Sequence, residues 1–305
     1  MSNRIAVIIP CLNEESTVGK VISDFRRLLP EAAIFVIDNN STDSTARAAS
    51  DAGAEVITER QPGKGMAVRK AFRKIDADIY LLVDGDDTYP AEAAADLLAP
   101  IMNDQADIVV GSRLCMESGS DFRLRNRLGN VFFRKTINTL FKAGLTDILS
   151  GYRAMSRDFV KRMQILAKGF EIEAELTIMA LNRGFRIVEV PVTLRSRPAD
   201  STSKIRVVRD GLRILGEIVS LFFYYKPLSF FGSLGLLLVV PAAASWLTGF
   251  PTLQGSAYNP VAAIGLGLTG VLSIGVGGIL HVTTRRFQEL DQRLDLLNDE
   301  IARPR

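Results

Sequence analysis

The chain has 305 residues, 47% of them hydrophobic, with 37 Lys and Arg against 34 Asp and Glu and a formal net charge of +3. That length holds one large domain plus an appendage, and the balanced charge gives no global field that would draw nucleic acid. The two cysteines, Cys11 and Cys115, lack metal-ligand spacing and fit a reducing compartment.

From the N-terminus, short apolar runs alternate with helical stretches. RIAVIIP (4–10) and AAIFVID (32–38) read as buried strands, AEVITE (54–59) as a shorter one, and DIYLLVD (78–84) and ADIVVGS (106–112) as two more. EESTVGKVISDFRRLL (14–29), STARAASDAG (44–53) and GMAVRKAFRKI (65–75) carry helical spacing, the first starting near Ser16 or Thr17. Strand and helix repeated in this way predict an α/β domain with a mostly parallel sheet covered on both faces. Ligands of such sheets sit beyond the carboxyl ends of the strands. The polar clusters fall at those ends: Asn13-Glu14-Glu15, DNNSTDST (38–45) and DGDD (84–87). The leading apolar run is too short for a signal peptide and meets Asn13 at once.

VDGDDTYP (83–90) crowds Asp84, Asp86 and Asp87 together. A solvated turn is one reading, since Asp and Gly favour turns and Pro90 suits a helix start. A divalent cation bridging Asp84 or Asp86 to a ligand diphosphate is the other, because hard cations combine one or two carboxylates with phosphate oxygens. The chain has neither common phosphate loop: QPGKGMA (61–67) lacks the P-loop spacing, and no GxGxxG follows the first strand. Further along come a basic cluster, with Arg113 in GSR, Arg123, Arg125, Arg127, Arg134 and Lys135, then DILSGYR (147–153), GFEIEAEL (169–176) and RSRPADSTSK (195–204). Arginine suits forked contacts to phosphate. The same cluster would also attract anionic lipid headgroups.

From Pro227 to Thr284 there is no Asp, Glu, Lys or Arg. Two apolar segments, Leu228 to Leu247 and Val261 to Val282, each reach the roughly 20 residues that cross a bilayer. A buried soluble hairpin is the bland alternative. Basic residues flank both spans, Lys204 to Lys226 before and Arg285-Arg286 after, which predicts that both flanks face the cytoplasm. The expected organisation is a cytoplasmic α/β domain over 1–203, a juxtamembrane amphipathic helix over 204–226, two spans over 227–284 and a cytoplasmic C-terminal helix over 285–305. Leu290, Leu294, Leu297 and Ile301 follow heptad spacing in that helix. Homo-oligomerisation through it, or an amphipathic helix on the membrane, fits equally.

The ordered set IPCLNEE, DNNSTDST, GKGMAVRKAF, VDGDDTYP, GSR, DILSGYR and EVPVTLRSR resembles family-2 glycosyltransferases. Among these the chain looks most like the polyprenyl-phosphate glycosyltransferases, including dolichyl-phosphate mannosyltransferases. The resemblance covers about residues 4–215 plus the two-span tail. It implies a GT-A, Rossmann-like fold, a UDP- or GDP-linked sugar donor, Mg²⁺ or Mn²⁺, and a polyprenyl-phosphate acceptor (undecaprenyl or dolichyl phosphate) at the inner, or plasma, membrane. It places Pro10, Asn13 and Glu14 in the nucleoside pocket, Asp38 at base or ribose, and Lys64 near the donor phosphates. Asp84 and Asp86 become the metal pair, Asp86 the catalytic one. Thr88 replaces a Gln that helps the metal in some relatives, and Asp87 is expected to be exposed. Arg113 and Arg127 become acceptor-phosphate ligands with catalytic weight. Asp147, Ser150 and Gly151 fall near sugar or acceptor, and Arg197, Ser203 and Lys204 on a loop closing over the diphosphate. Glu171, Glu173 and Glu175 are carboxylate candidates, with Glu175 matching the family's acid.

A phosphate acceptor needs no base, because its second pKa is near 6 and it is mostly dianionic at pH 7. Direct attack on the anomeric carbon with inversion follows. The rivals are a transferase acting on a hydroxyl, which needs a base, and an inactive sugar-nucleotide-binding protein. A processive synthase would carry QxxRW, and the one tryptophan, Trp246, lies in a span.

Overall fold

The computed structural model describes residues 3–115, 131, 134–141, 143–195, 215–216, 219–248 and 260–302. The chain divides into two compact units, Met1–Ile218 and Val219–Arg305. The division falls inside the stretch assigned above to a juxtamembrane helix.

The first unit is built on β1 (Ile5–Cys11), α1 (Val18–Leu28), β2 (Ala33–Asp38), α2 (Thr45–Asp51), β3 (Glu55–Thr58), α3 (Lys64–Lys74), β4 (Ile79–Leu82), α4 (Ala94–Met102) and β5 (Ile108–Cys115). It continues with β6 (Arg153–Ser156), α5 (Arg157–Arg162), α6 (Ile172–Arg183) and β7 (Ile187–Thr193). Seven strands form one sheet in the order β3-β2-β1-β4-β6-β5-β7. All neighbours run parallel except β6, which is antiparallel to both β4 and β5. The five expected strands are all present; β6 and β7 are additions.

Alternation of side chains across the pleat divides the core in two. Val7 and Ile9 of β1 pack with Val18, Ile22 and Phe25 of α1, while Ala6 and Ile8 pack with Val68, Ala71 and Phe72 of α3. Burial on both faces is why β1 reads as a continuous apolar run. In α1 the buried residues, Val18, Val21, Ile22 and Phe25, recur at the helical period, and Arg26 and Arg27 stay on the last turn. Layers of helix on each face leave the strand ends as the open edge, and the carboxyl ends of β1, β2 and β4 gather the polar loops.

The second unit holds α7 (Pro227–Thr248) and α8 (Pro260–Ala302). Both contain segments long and apolar enough to cross a bilayer, Pro227–Trp246 and Val261–Phe287, each with mean hydropathy 1.9. Large apolar side chains such as Leu237 and Val261 are exposed, an apolar surface of the kind that meets a membrane or a partner protein. The helices approach closely at Gly235 and Gly270, where an added Cβ on Gly270 would lie 2.7 Å from the Gly235 carbonyl oxygen. The helix expected after the second span is continuous with it: α8 runs unbroken to Ala302.

Candidate active site

The first two loops are braided into one surface. β1 and β2 end side by side, with Pro10 opposite Ile37 and Cys11 opposite Asp38. Asn13 turns the chain in the left-handed region, φ 53°, which Asn tolerates. Its amide donates to Ser41 Oγ at 3.0 Å, and its side-chain oxygen accepts from Thr42 N at 2.8 Å. The buried Glu14 donates its N–H to Thr45 Oγ1 at 2.8 Å. Asp38, also buried, accepts from Ser41 N at 3.3 Å. Asn39, which sequence reasoning passed over, joins the next loop: it donates to the carbonyls of Glu59 and Gln61 and accepts from Gly63 N at 2.7 Å.

The DGDD turn follows β4. Thr17 Oγ1, at the start of α1, donates to the Gly85 carbonyl at 2.7 Å. Asp86 is buried and its Oδ1 accepts from Thr88 N at 3.2 Å and Thr88 Oγ1 at 2.6 Å. Thr88 therefore orients Asp86. Asp87 corrects the expectation of exposure: the residue is 8% exposed, and its Oδ1 meets Lys20 Nζ at 2.9 Å and Arg195 Nη1 at 3.2 Å. Those two cations let a third acid sit in a left-handed turn, φ 58°, beside two others. Arg195 also pairs with Asp24 at 3.3 Å and Glu92 at 2.6 Å, so it is committed to the back of this turn.

Lys64 opens α3 behind Gly63, whose φ of 127° and contact with the Lys168 carbonyl exclude any side chain. Its ammonium lies 2.5 Å from Asp84 Oδ1 and 2.6 Å from Glu173 Oε1. Burial alone would lower its pKa, but the two carboxylates outweigh burial and raise it. The three glutamates of GFEIEAEL take separate tasks. Glu171 accepts from the amides of Lys168 and Gly169, Glu173 faces Lys64, and the fully buried Glu175 accepts from Leu166 N at 2.8 Å and Ala167 N at 2.9 Å. Glu175 thus holds the loop whose carbonyls pack on Gly63 and Gly65.

The DILSG segment closes the other side. Arg113 and Asp147 form a two-pronged pair, Nε to Oδ2 at 2.6 Å and Nη2 to Oδ1 at 2.8 Å, with the Arg113 amide adding 3.0 Å. Burial would raise the Asp147 pKa, but Arg113 and backbone amides lower it. Glu189 of β7 suspends this segment by accepting from Thr146 N and Asp147 N. The Tyr89 hydroxyl lies 3.3 Å from Ser150 Oγ and accepts from Gly151 N at 3.1 Å, which joins DILSG directly to VDGDDTYP. Gly151 abuts the ion pair: a Cβ there would lie 2.8 Å from Asp84 Oδ2 and 2.9 Å from Lys64 Nζ. Beneath the segment Arg153 is fully buried, donating to the Ser150 and Ile148 carbonyls and to Thr177 Oγ1. Its pKa is lowered to about 10, chiefly by burial.

Asp84, Lys64 and Gly151 are thus in direct contact, Ser150 joins them through Tyr89, and Asp86 stands on the same turn as Asp84, with Asp38, Asn13 and Glu14 on the adjoining loops. Arg127, Arg197, Ser203 and Lys204 lie outside the described residues. The donor set suits a divalent cation: Asp84 already holds a cationic group, and Asp86 stands two positions on in the same turn. Among the described residues no group of three or more His, Cys, Asp or Glu is arranged to hold a metal.

Residues 6–163 match the family model for Glycosyl transferase family 2. The chain belongs to that family. It is 34% identical over 300 residues to glycosyltransferase AglJ of Haloferax volcanii, covering 94% of this chain and 98% of the relative. It is 33% identical over 197 residues to a dolichyl-phosphate hexose transferase of the same organism, covering 65% of this chain and 85% of that one. Among solved structures, glucosyl-3-phosphoglycerate synthase from Mycobacterium tuberculosis, bound to Mn²⁺, uridine-diphosphate-glucose and phosphoglyceric acid, superposes with a TM-score of 0.62. The match covers 72% of this chain and 80% of that one at 22% identity, which speaks for the fold. This family-2 chain is a glycosyltransferase with a GT-A-like sheet.

Proposed function

We propose that the protein transfers a hexose-type sugar from a UDP- or GDP-linked donor to a polyprenyl phosphate at the cytoplasmic face of the membrane. The observation that carries the reading is the contact of the DGDD turn with DILSG: Tyr89 bonds Ser150 and Gly151, Gly151 abuts the Asp84–Lys64 pair, and Asp147 of the same segment holds Arg113. The resemblance to a dolichyl-phosphate hexose transferase supports the acceptor class. Asn13, Glu14 and Asp38 bind the nucleoside, and Lys64 faces the diphosphate. Asp84 and Asp86 would hold a divalent cation, which when bound would supply charge neutralisation for the departing diphosphate.

The acceptor phosphate oxygen attacks the anomeric carbon, the bond to the nucleoside diphosphate breaks, and configuration inverts. Arg113, held rigid by Asp147, presents its outer edge to the acceptor, and Arg127 is assigned there too. Arg197, Ser203 and Lys204 are assigned to the donor diphosphate on the family resemblance alone. Positioning and charge compensation then provide the rate. A hydroxyl acceptor would need a base, and Glu171, Glu173 and Glu175 are engaged with amides or with Lys64. The reading puts the catalytic unit and both termini on the cytoplasmic side of the plasma membrane, supported by the basic residues that flank both apolar segments, and the heptad positions of α8 support homo-oligomerisation.

The test is purified full-length protein in detergent with Mn²⁺ or Mg²⁺, undecaprenyl or dolichyl phosphate, and a panel of radiolabelled UDP- and GDP-sugars. Label enters a lipid product from one donor and is lost in Asp86→Asn. Donor turnover with no lipid product from any phosphate acceptor would sink the proposal.

A further inference from the structure

Asp84 and Glu173 share one ammonium, and they share it unequally. Lys64 Nζ is 2.5 Å from Asp84 and 2.6 Å from Glu173, yet the Glu173 side chain is 5% exposed and that of Asp84 29%. Glu173 is the buried anchor, set on the first turn of α6, and Asp84 is the end that faces solvent and ligand. Gly151 packs against the same atoms, so the room beside the ion pair is small. A divalent ion on Asp84 would meet the ammonium at close range, like charge against like, in a partly desolvated place. The mechanism needs Lys64 on the donor phosphates, whereas the structure has it on the carboxylate.

We infer that Lys64 guards Asp84: without nucleotide it occupies the carboxylate and opposes divalent ions, and with a donor diphosphate it pivots on Glu173 from carboxylate to phosphate. Glu173 is then a positioning residue, acting through Lys64. Each charge keeps a partner through the exchange, which a buried ammonium requires. Divalent ion and nucleotide consequently bind as a coupled pair, each strengthening the other. The inference rests on the nucleotide-sugar reading above.

The experiment measures free Mn²⁺ by electron paramagnetic resonance during titration of the full-length protein in detergent, alone and with UDP or GDP. Wild type, Lys64→Met and Glu173→Gln are compared, with thermal unfolding as a check on folding. Lys64→Met binds Mn²⁺ about tenfold more tightly than wild type without nucleotide, yet binds the Mn²⁺–nucleotide pair about tenfold more weakly. That change of sign separates a guard from a residue that merely adds positive charge. Glu173→Gln leaves the ammonium on Asp84 alone, so Mn²⁺ binding weakens without nucleotide and nucleotide no longer restores it. An effect of Lys64→Met in the same direction with and without nucleotide overturns the inference. So does wild-type Mn²⁺ affinity indifferent to nucleotide, which decides the matter if Lys64→Met does not fold. Those two outcomes are read only where equilibrium dialysis shows that UDP or GDP binds wild type; failure of either nucleotide to bind overturns the donor assignment instead, and tighter Mn²⁺ binding by Lys64→Met alone then leaves the occupation of Asp84 by Lys64 standing.

Discussion

Glu175→Gln separates a structural carboxylate from a catalytic one. Both Glu175 oxygens accept backbone N–H bonds, at 2.8 and 2.9 Å, from the loop that packs on the start of α3. The substitution keeps one acceptor and turns an NH₂ toward a donor. One charge-assisted bond, worth about 1.5–3 kcal/mol, is lost and a buried amide loses its partner at about 1–3 kcal/mol. Leu166 is itself exposed, so water relieves part of this, and about 3 kcal/mol is the expected total. For a domain of this size that lowers the apparent Tm by about 6–12 °C. The assay pairs thermal unfolding of the full chain in detergent with initial rates across pH, taken well below the transition. The expected result is a lower Tm with kcat within about threefold of wild type and an unmoved pH profile; loss of a general base typically costs about 10²–10⁴-fold. An unchanged Tm with a hundredfold loss of kcat would show Glu175 to be an acid or base and would refute the direct-attack mechanism.

Three further outcomes follow from the contacts. Gly151→Ala puts a methyl against Asp84 and Lys64 and is expected to cut kcat/KM by about a hundredfold, with circular dichroism unchanged. Asp147 has a folded pKa held below its unfolded value, so its contribution to stability is present above about pH 4 and lost as pH falls through the folded pKa. Asp147→Asn should therefore lower stability at pH 7 and flatten its decline below pH 4 in a denaturant series. Gly270→Leu forces apart α7 and α8 and should cost about 1–3 kcal/mol, read as a lower apparent Tm in detergent.

Strands β1, β2 and β4 were legible because burial on both faces writes nearly unbroken apolar runs, while the edge strand β3 showed only through Val56 and Ile57 between turn signals. β6 was not, since its four residues begin with the fully buried Arg153, a charge that no strand pattern anticipates. The motif clusters were legible as polar residues at strand ends, but their mutual contacts were not. Asp87 reads locally as one more turn acid, whereas its partners stand 67 and 108 positions away, at Lys20 and Arg195. Arg113 and Asp147, read separately as acceptor ligands, are partners of each other across 34 positions. Glu173 and Glu175 share one local pattern, and only the packing of α6 decides which reaches Lys64. Proximity of this kind is set by the sheet order, which periodicity does not encode.

The claim that a lipid phosphate is the nucleophile is met most directly by offering the enzyme polyprenyl phosphate and the matching free polyprenol in parallel, with the donor identified from the panel. The account predicts labelled lipid from polyprenyl phosphate, carrying a new sugar–phosphate linkage of inverted configuration, and none from the alcohol. Equal or greater transfer to the alcohol would contradict it.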